Sequence, residues 1–462
     1  MKSTTVKIAY IGGGSRYWAR DLLGELALST QLTGQVDLYD LDLAAARKNA
    51  DIAKAIFSRP EARTQFKVRA VTSLRHALQG ADFVVLSIEP GPTSARFADL
   101  IIPERFGVVQ PVGDTTGPGG IARALRAIPL YVNFGRQIAR YCPRAWVINY
   151  TNPMTLCLEA LKAGWPHIKA MGCCHEVFHT QKRLAQIAIT HFEVPAIPRQ
   201  EIQLGLSGIN HFTWAMSAQW QGQPLFPLLQ ASIDSPHYFR SRAKRTADLE
   251  KKGRYFKGAG LVAADLFRRF GALGAAGDRH LVEFVPWYAT DAANLHRWGV
   301  PITPYSWRLA RSRLTDPSVR TYQERALRSS DEEGVRLIEA LSGGPSLRTH
   351  LNLTNQGQAP DLPQGHTVET FARVSEDQCV PEKAPLLPPA AAVLVRRVIG
   401  VQQLTLQAGL AQDLELAFHA VLADPLVNLP VSATESMFAQ MIAHLQSHVA
   451  SWKRPRFMMA SS

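Results

Sequence analysis

The stretch Val6 to Leu28, VKIAYIGGGSRYWARDLLGELAL, decides how the rest of the chain is read. Val6 to Ile11 is a short apolar run ended by three glycines, after which Trp18, Leu22, Leu23 and Leu26 recur at helical spacing. A strand, a tight glycine turn and a helix therefore open the chain. QVDLYDLD reads as a second strand and LAAARKNADIAKAIF as a second helix, while FKVRAVT, DFVVLSI, AWVINYT and HIKAMGC continue the strands with helical segments between them. Strands alternating with helices imply right-handed crossovers and a parallel, doubly wound, Rossmann-like sheet, placed at residues 1–195.

In such a sheet, a glycine turn lets phosphate oxygens approach backbone N–H groups at a helix N-terminus, where the helix dipole favours negative charge. Gly12, Gly13, Gly14 and Ser15 form the candidate cradle. The full G-x-G-x-x-G is absent, since Tyr17 holds the third glycine position counted from Gly12, so a turn without ligand remains an alternative on the motif alone. Asp40 strengthens the cofactor reading. It ends the second strand 26 residues beyond Gly14, where a carboxylate accepts hydrogen bonds from an adenosine ribose and repels a 2′-phosphate, which favours NAD over NADP.

Beyond Val194 the alternation weakens, and residues 196–462 read as a mixed α+β domain. EIQLGLSGINHFTWAMSAQW looks like strands, AGLVAADLFRRFGALG like a helix, and the region after the proline-rich connector PEKAPLLPPAA like long C-terminal helices. At 462 residues, two domains are the expectation. The five cysteines, Cys142, Cys157, Cys173, Cys174 and Cys379, are odd in number and scattered. With no secretory apolar segment behind Met1, they point to free thiols in a reducing cytoplasm. No apolar run reaches the roughly 18 residues of a membrane span. The formal charge of +13 is spread along the chain rather than clustered with aromatics, which argues against nucleic acid and fits a small anionic substrate. The apolar C-terminal helices make a homo-oligomer, a dimer or tetramer, the expected assembly.

Ligands of doubly wound sheets sit beyond the C-terminal strand ends. Three strand ends or turns are unusually polar: VGDTTGPGG (Val112 to Gly120), INYTNP (Ile148 to Pro153) and CCHE (Cys173 to Glu176). Asn149 and Asn152 are also turn formers, and Asp114 to Gly117 also suits a helix cap, so both readings stand at this point. Vicinal cysteines without a matching C-x-x-C pair exclude a zinc finger; one thiolate with distant imidazoles would suit a catalytic divalent ion. His211, in GINHFTW, is the downstream imidazole. The segment GAAGDRHLVEFVPWY (Gly274 to Tyr288) concentrates Asp278, Arg279, His280 and Glu283 and reads as a site-lining loop.

Taken in order, IGGGS, GDTTGPGGIARALRAIP, NYTNP, CCHE and GINHFTW closely resemble glycoside hydrolase family 4, the NAD- and metal-dependent glycosidases. The resemblance runs from Lys7 to about Tyr288, and CHEV (Cys174 to Val177) is most similar to its α-galacturonidase branch. It implies hydrolysis of α-glycosides by elimination rather than by two-carboxylate displacement: NAD+ oxidises sugar C3, a base removes the C2 proton, the C1 leaving group departs, water adds and the hydride returns. Mn2+ or another divalent ion would stabilise the enediolate. The resemblance further implies Cys174 and His211 as metal ligands, Asn149 near the nicotinamide, Asn152 on the sugar hydroxyls, and His175 and Glu176 as substrate-discriminating residues. His175 would also assist the leaving group. Asp278 is the expected base, because the segment ending at GDRH carries Phe270 and no tyrosine. An α-glucosidase or α-galactosidase of the same family, a lactate/malate-type NAD dehydrogenase and a non-catalytic NAD sensor are the alternatives.

Overall fold

The structure, a computed structural model, describes residues 3–459 except 257, 313, 315 and 331. Its first six strands are β1 (Thr4–Ile11), β2 (Leu32–Tyr39), β3 (Phe66–Val71), β4 (Phe83–Leu86), β5 (Trp146–Asn149) and β6 (Lys169–Gly172). They are mutually parallel and stand in the order β3-β2-β1-β4-β5-β6, the order of a doubly wound dinucleotide-binding sheet. Ile8, Ala9, Tyr10 and Ile11 are all buried, as a parallel strand covered on both faces requires.

The strand order reverses between β1 and β4, and there the two chain directions leave a crevice. Gly12 lies at its bottom with φ +95°, and a Cβ added to it would stand 1.9 Å from the Ser87 carbonyl oxygen beyond β4. Gly13 would similarly strike Leu38, and Gly14 would strike Ala45 and Asp40. Gly12 and Gly13 are thus demanded by close backbone packing, and Gly14 by the Ala45 and Asp40 side chains, whether or not a ligand is present.

The second half of the chain adds to both the sheet and the site. A hairpin of β7 (Gln203–Ile209) and β8 (Phe212–Trp220), with the short β9 (Gln223–Pro224) and β10 (Leu273–Gly274), forms a separate antiparallel sheet. Strands β11 (Leu347–Thr354), β12 (Thr367–Ser375) and β13 (Gln378–Pro381) instead continue the first sheet beyond β6, in antiparallel register, to nine strands. The sheet is therefore mixed at this edge and shared across residue 195. A buried network joins the two sheets: Asn352 donates to Glu369 at 2.8 Å, and the Thr213 hydroxyl donates to the other oxygen of Glu369.

Two local readings change. The helix Leu261–Phe270 stops before GALG because Gly271 adopts φ +67°, after which Leu273–Gly274 pairs with β8. The expected loop at GDRH is a helix, Asp278–Phe284. Farther on, residues 316–330 lie across the first two helices: Arg20 grips Asp316 with two hydrogen bonds of 2.7 Å, and Lys48 pairs with the same carboxylate. No helix among the described residues is long and apolar enough to cross a membrane.

The long helix Gly117–Tyr141 points its N-terminus toward the crevice, but Thr116 in the cap position makes no side-chain cap bond. Asp424, fully buried, accepts from the Gly117 N–H at 3.0 Å instead. Burial pushes its carboxyl up from an ordinary 3.8 to about 6, against the pull of these N–H groups. The folded state therefore holds this proton more tightly than the unfolded chain does. The group's contribution to stability is full below pH ~4 and is lost as pH rises through 6, on the order of 2–3 kcal/mol. Asp424→Asn, which does not titrate, should flatten that part of the pH dependence in urea unfolding measured between pH 4 and 6.5.

Candidate functional site

One cavity of about 2070 Å³ runs from the glycine turn to the hairpin between β7 and β8, room for a dinucleotide and a sugar together. At one end stand Gly12, Gly14, Ser15 and Asp40; at the other, Asp114, Asn152, Glu176, His211, Asp278 and His280. Asp40 is held at the rim by the N–H groups of Gly14, 2.8 Å, and Asp42, 2.9 Å. The helix Trp18–Leu28 starts without a side-chain cap, and Tyr17 and Trp18 line the cavity, so its positive end faces the open space.

His211 occupies a two-residue hairpin turn with φ +63°, a left-handed conformation usual for Gly or Asn and costly, by about 1 kcal/mol, for other residues. The turn carries the imidazole into the cavity, where Thr115 Oγ1 contacts its Nδ1 at 2.9 Å and Nε2 is left to face other groups. Asp114, His211 and His280 each bring a ligand atom to within 4.8 Å of the others. Burial and the neighbouring His280 push His211 down to about 3, so it stays a neutral imidazole. Burial would raise Asp114, but His280, His211 and Arg123 outweigh it and keep the carboxyl well below its usual range. The neutral His211 imidazole and the ionised Asp114 carboxylate are in the donor state a divalent cation needs. In the sequence Asp114 stands out only as part of a polar strand end that also suits a helix cap, and His280 only as part of a polar segment; nothing in the spacing shows that three separate segments meet.

The β6 end is fixed by the sheet extension, since His350 on β11 approaches the Cys174 carbonyl oxygen at 2.8 Å. The Cys174 thiol is driven well above its ordinary pKa by burial and by Glu369 and Glu176, and it belongs to neither candidate cation cluster among the described residues. The second cluster is His175, Glu176 and His179. Glu176 accepts the Gly277 N–H at 2.5 Å and lies 3.7 to 3.9 Å from His175, His179 and His280. Burial alone would raise it, but the surrounding histidines bring it to about 2. His175 is raised, chiefly by Glu332, whose carboxylate stands 3.3 Å from Nδ1.

Asp278 is 2% exposed; one carboxylate oxygen accepts the Ala263 N–H at 3.0 Å, and the other is buried without a partner. Burial raises its pKa, opposed by backbone N–H groups at the start of the helix Leu261–Phe270 and by Arg183. Asn152 lines the cavity with an unpartnered buried Oδ1. Asn149 does not line it: its amide is engaged with Tyr131 and Thr151 beneath the strand end. Arg279 is committed to Tyr255, Thr303 and Pro111, with hydrogen bonds of 2.7, 2.9 and 2.5 Å.

The chain matches the family 4 glycosyl hydrolase model over residues 7–190 and the family 4 glycosyl hydrolase C-terminal domain over residues 206–427. It is 41% identical to an alpha-galacturonidase of Thermoanaerobacterium saccharolyticum, over 97% of both proteins. A crystal structure of a Bacillus subtilis protein described as a glucosidase superposes with a TM-score of 0.84 at 39% identity, over 95% of this chain and 99% of that one. The 6-phospho-beta glucosidase of Thermotoga maritima, solved with manganese, NAD+ and glucose-6-phosphate, shares the fold at a TM-score of 0.74 and 18% identity, over 96% and 99%. With both parts of the family model in place and a relative above 40% identity along nearly its whole length, this chain belongs to family 4 of the glycosyl hydrolases.

Proposed function

We propose that the protein is an α-galacturonidase working with NAD+ and a divalent cation, Mn2+. The observation that carries this reading is the single cavity uniting the glycine turn and Asp40 with Asp114, His211 and His280. Similarity over 97% of its length to an enzyme named alpha-galacturonidase supports the choice of sugar. The uncapped N-terminus of the helix Trp18–Leu28 suits a pyrophosphate, with Gly12, Gly13, Gly14 and Ser15 as the turn and Asp40 on the ribose. Asn149, fully hydrogen-bonded, supports the strand end from below. Asp114, His211 and His280 form an O/N donor set that fits Mn2+. Cys174 is a further candidate ligand, and its buried thiol needs the cation's field to ionise. When bound, NAD+ supplies a hydride acceptor and the cation a Lewis acid.

The protein's own groups divide the remaining work. Asn152 Oδ1, buried and unpartnered, accepts from a sugar hydroxyl. Asp278 directs a free carboxylate oxygen of raised basicity at the sugar C2 proton. His175, whose protonated form Glu332 and Glu176 favour, donates to the C1 leaving oxygen. Glu176, held ionised, keeps His175 and His280 in place.

With NAD+, Mn2+ and a thiol reductant, the enzyme should release p-nitrophenol from the α-galacturonide well ahead of the α-glucoside, the α-galactoside and their 6-phosphates, and EDTA should stop it. Preference for a 6-phosphate would sink the proposed sugar, and stoichiometric NADH formation from a 2-hydroxy acid would sink the hydrolase. His175→Gln should slow release of methanol from methyl α-galacturonide about 10²-fold while leaving p-nitrophenol release nearly intact, because only the poor leaving group needs an acid. Equal slowing of both substrates would deny His175 that role. His211→Asn keeps a residue that tolerates φ +63° and should unfold within about 1 kcal/mol of the wild type, yet lose Mn2+ binding in calorimetry. Cys174→Ser should weaken Mn2+ binding, and unchanged affinity would strike Cys174 from the ligand set.

A further inference from the structure

Arg308 lies on the helix Tyr305–Ser312 and lines the cavity with Asp114 and His211. One amino group, Nη2, donates to the Pro111 carbonyl at 2.9 Å, while its Nε–H is buried and has no partner. Of the other arginines near the cavity, Arg126 pairs with Asp99, Arg123 with Glu89 and Arg279 with carbonyl and hydroxyl oxygens, while Arg183, whose Nε–H is likewise buried without a partner, donates to the Tyr238 hydroxyl. Among the described residues no carboxylate forms an ion pair with Arg308. Burial, Arg279 and Arg96 instead crowd it with cost and like charge, and push its pKa down to about 10. A guanidinium so placed has no carboxylate partner, and a planar carboxylate is the anion that fits a guanidinium with two parallel hydrogen bonds.

We infer that Arg308 recognises the C6 carboxylate of the sugar and sets the preference for a uronide over a neutral galactoside. The assignment rests on the galacturonide reading. Arg279 cannot take this role without giving up the bonds to Tyr255, Thr303 and Pro111 that hold it. A neutral hydroxymethyl group in the same place would leave the Arg308 charge desolvated and unpaired, so the residue selects against galactosides as well as for galacturonides.

Equilibrium binding of D-galacturonate, D-galactose, galactose 6-phosphate and NAD+ to the Mn2+-supplied enzyme tests this. The wild type should prefer galacturonate to both other sugars. Arg308→Gln should weaken galacturonate at least about 30-fold, leaving galactose and NAD+ affinities as they were. Arg308→Lys, which keeps the charge and loses the fork, should fall between. If the wild type discriminates and Arg308→Gln discriminates equally well, the assignment is wrong and the galacturonide reading stands. If the wild type does not discriminate, or favours the 6-phosphate, both fall. A variant that loses NAD+ affinity while keeping galacturonate affinity would place Arg308 on the cofactor and overturn the assignment.

Discussion

The close approach of the Gly12 backbone to the Ser87 carbonyl is the constraint on which the site depends. It brings the ends of β1 and β4 together at the point where the sheet changes direction, and every crossover helix must leave from one side or the other of that contact. The crevice follows from this topology, and so does the uncapped end of the helix Trp18–Leu28 that faces it. Side chains are excluded from the turn because the Ser87 and Leu38 backbone and the Ala45 and Asp40 side chains already occupy the space.

The opposite wall is built by the second half of the chain, which does not form an independent neighbour. Strand β11 pairs with β6, His350 reaches the Cys174 carbonyl, and the Asn352–Glu369–Thr213 network ties that edge to the hairpin carrying His211. Cys174 and His211, on separate segments, are thereby tied to the same sheet edge. Buried networks of this kind fix geometry because each unpaired member would be costly.

Charge within the cavity is sorted by the same burial. His211 stays neutral, while Asp114 and Glu176 stay ionised among imidazoles, and the acidic and basic groups cluster at one end. Asp278 shows how position alters meaning. As the first residue of a helix it resembles an ordinary capping carboxylate, yet it serves the neighbouring helix Leu261–Phe270 and keeps one buried oxygen without a partner.

The six parallel strands, their helices and the glycine turn were legible in the sequence because each is a local pattern: a buried strand is an apolar run, and a helix face repeats every three or four residues. The ordered motifs likewise singled out His211 and the polar strand ends, and the polar density of GAAGDRHLVEFVPWY singled out Asp278. The chain alone did not show that LRTHLNLT and TVETFARVS extend the first sheet, since strand pairing across more than a hundred residues leaves no periodic trace. Nor did it show that Asp114 and His280 flank His211, that Asn149 is spent on Tyr131 and Thr151, or that Arg308 stands unpaired beside the site. Local periodicity determines which elements form; the long-range packing of those elements alone decides which side chains share a buried space, and with it their charge and their chemistry.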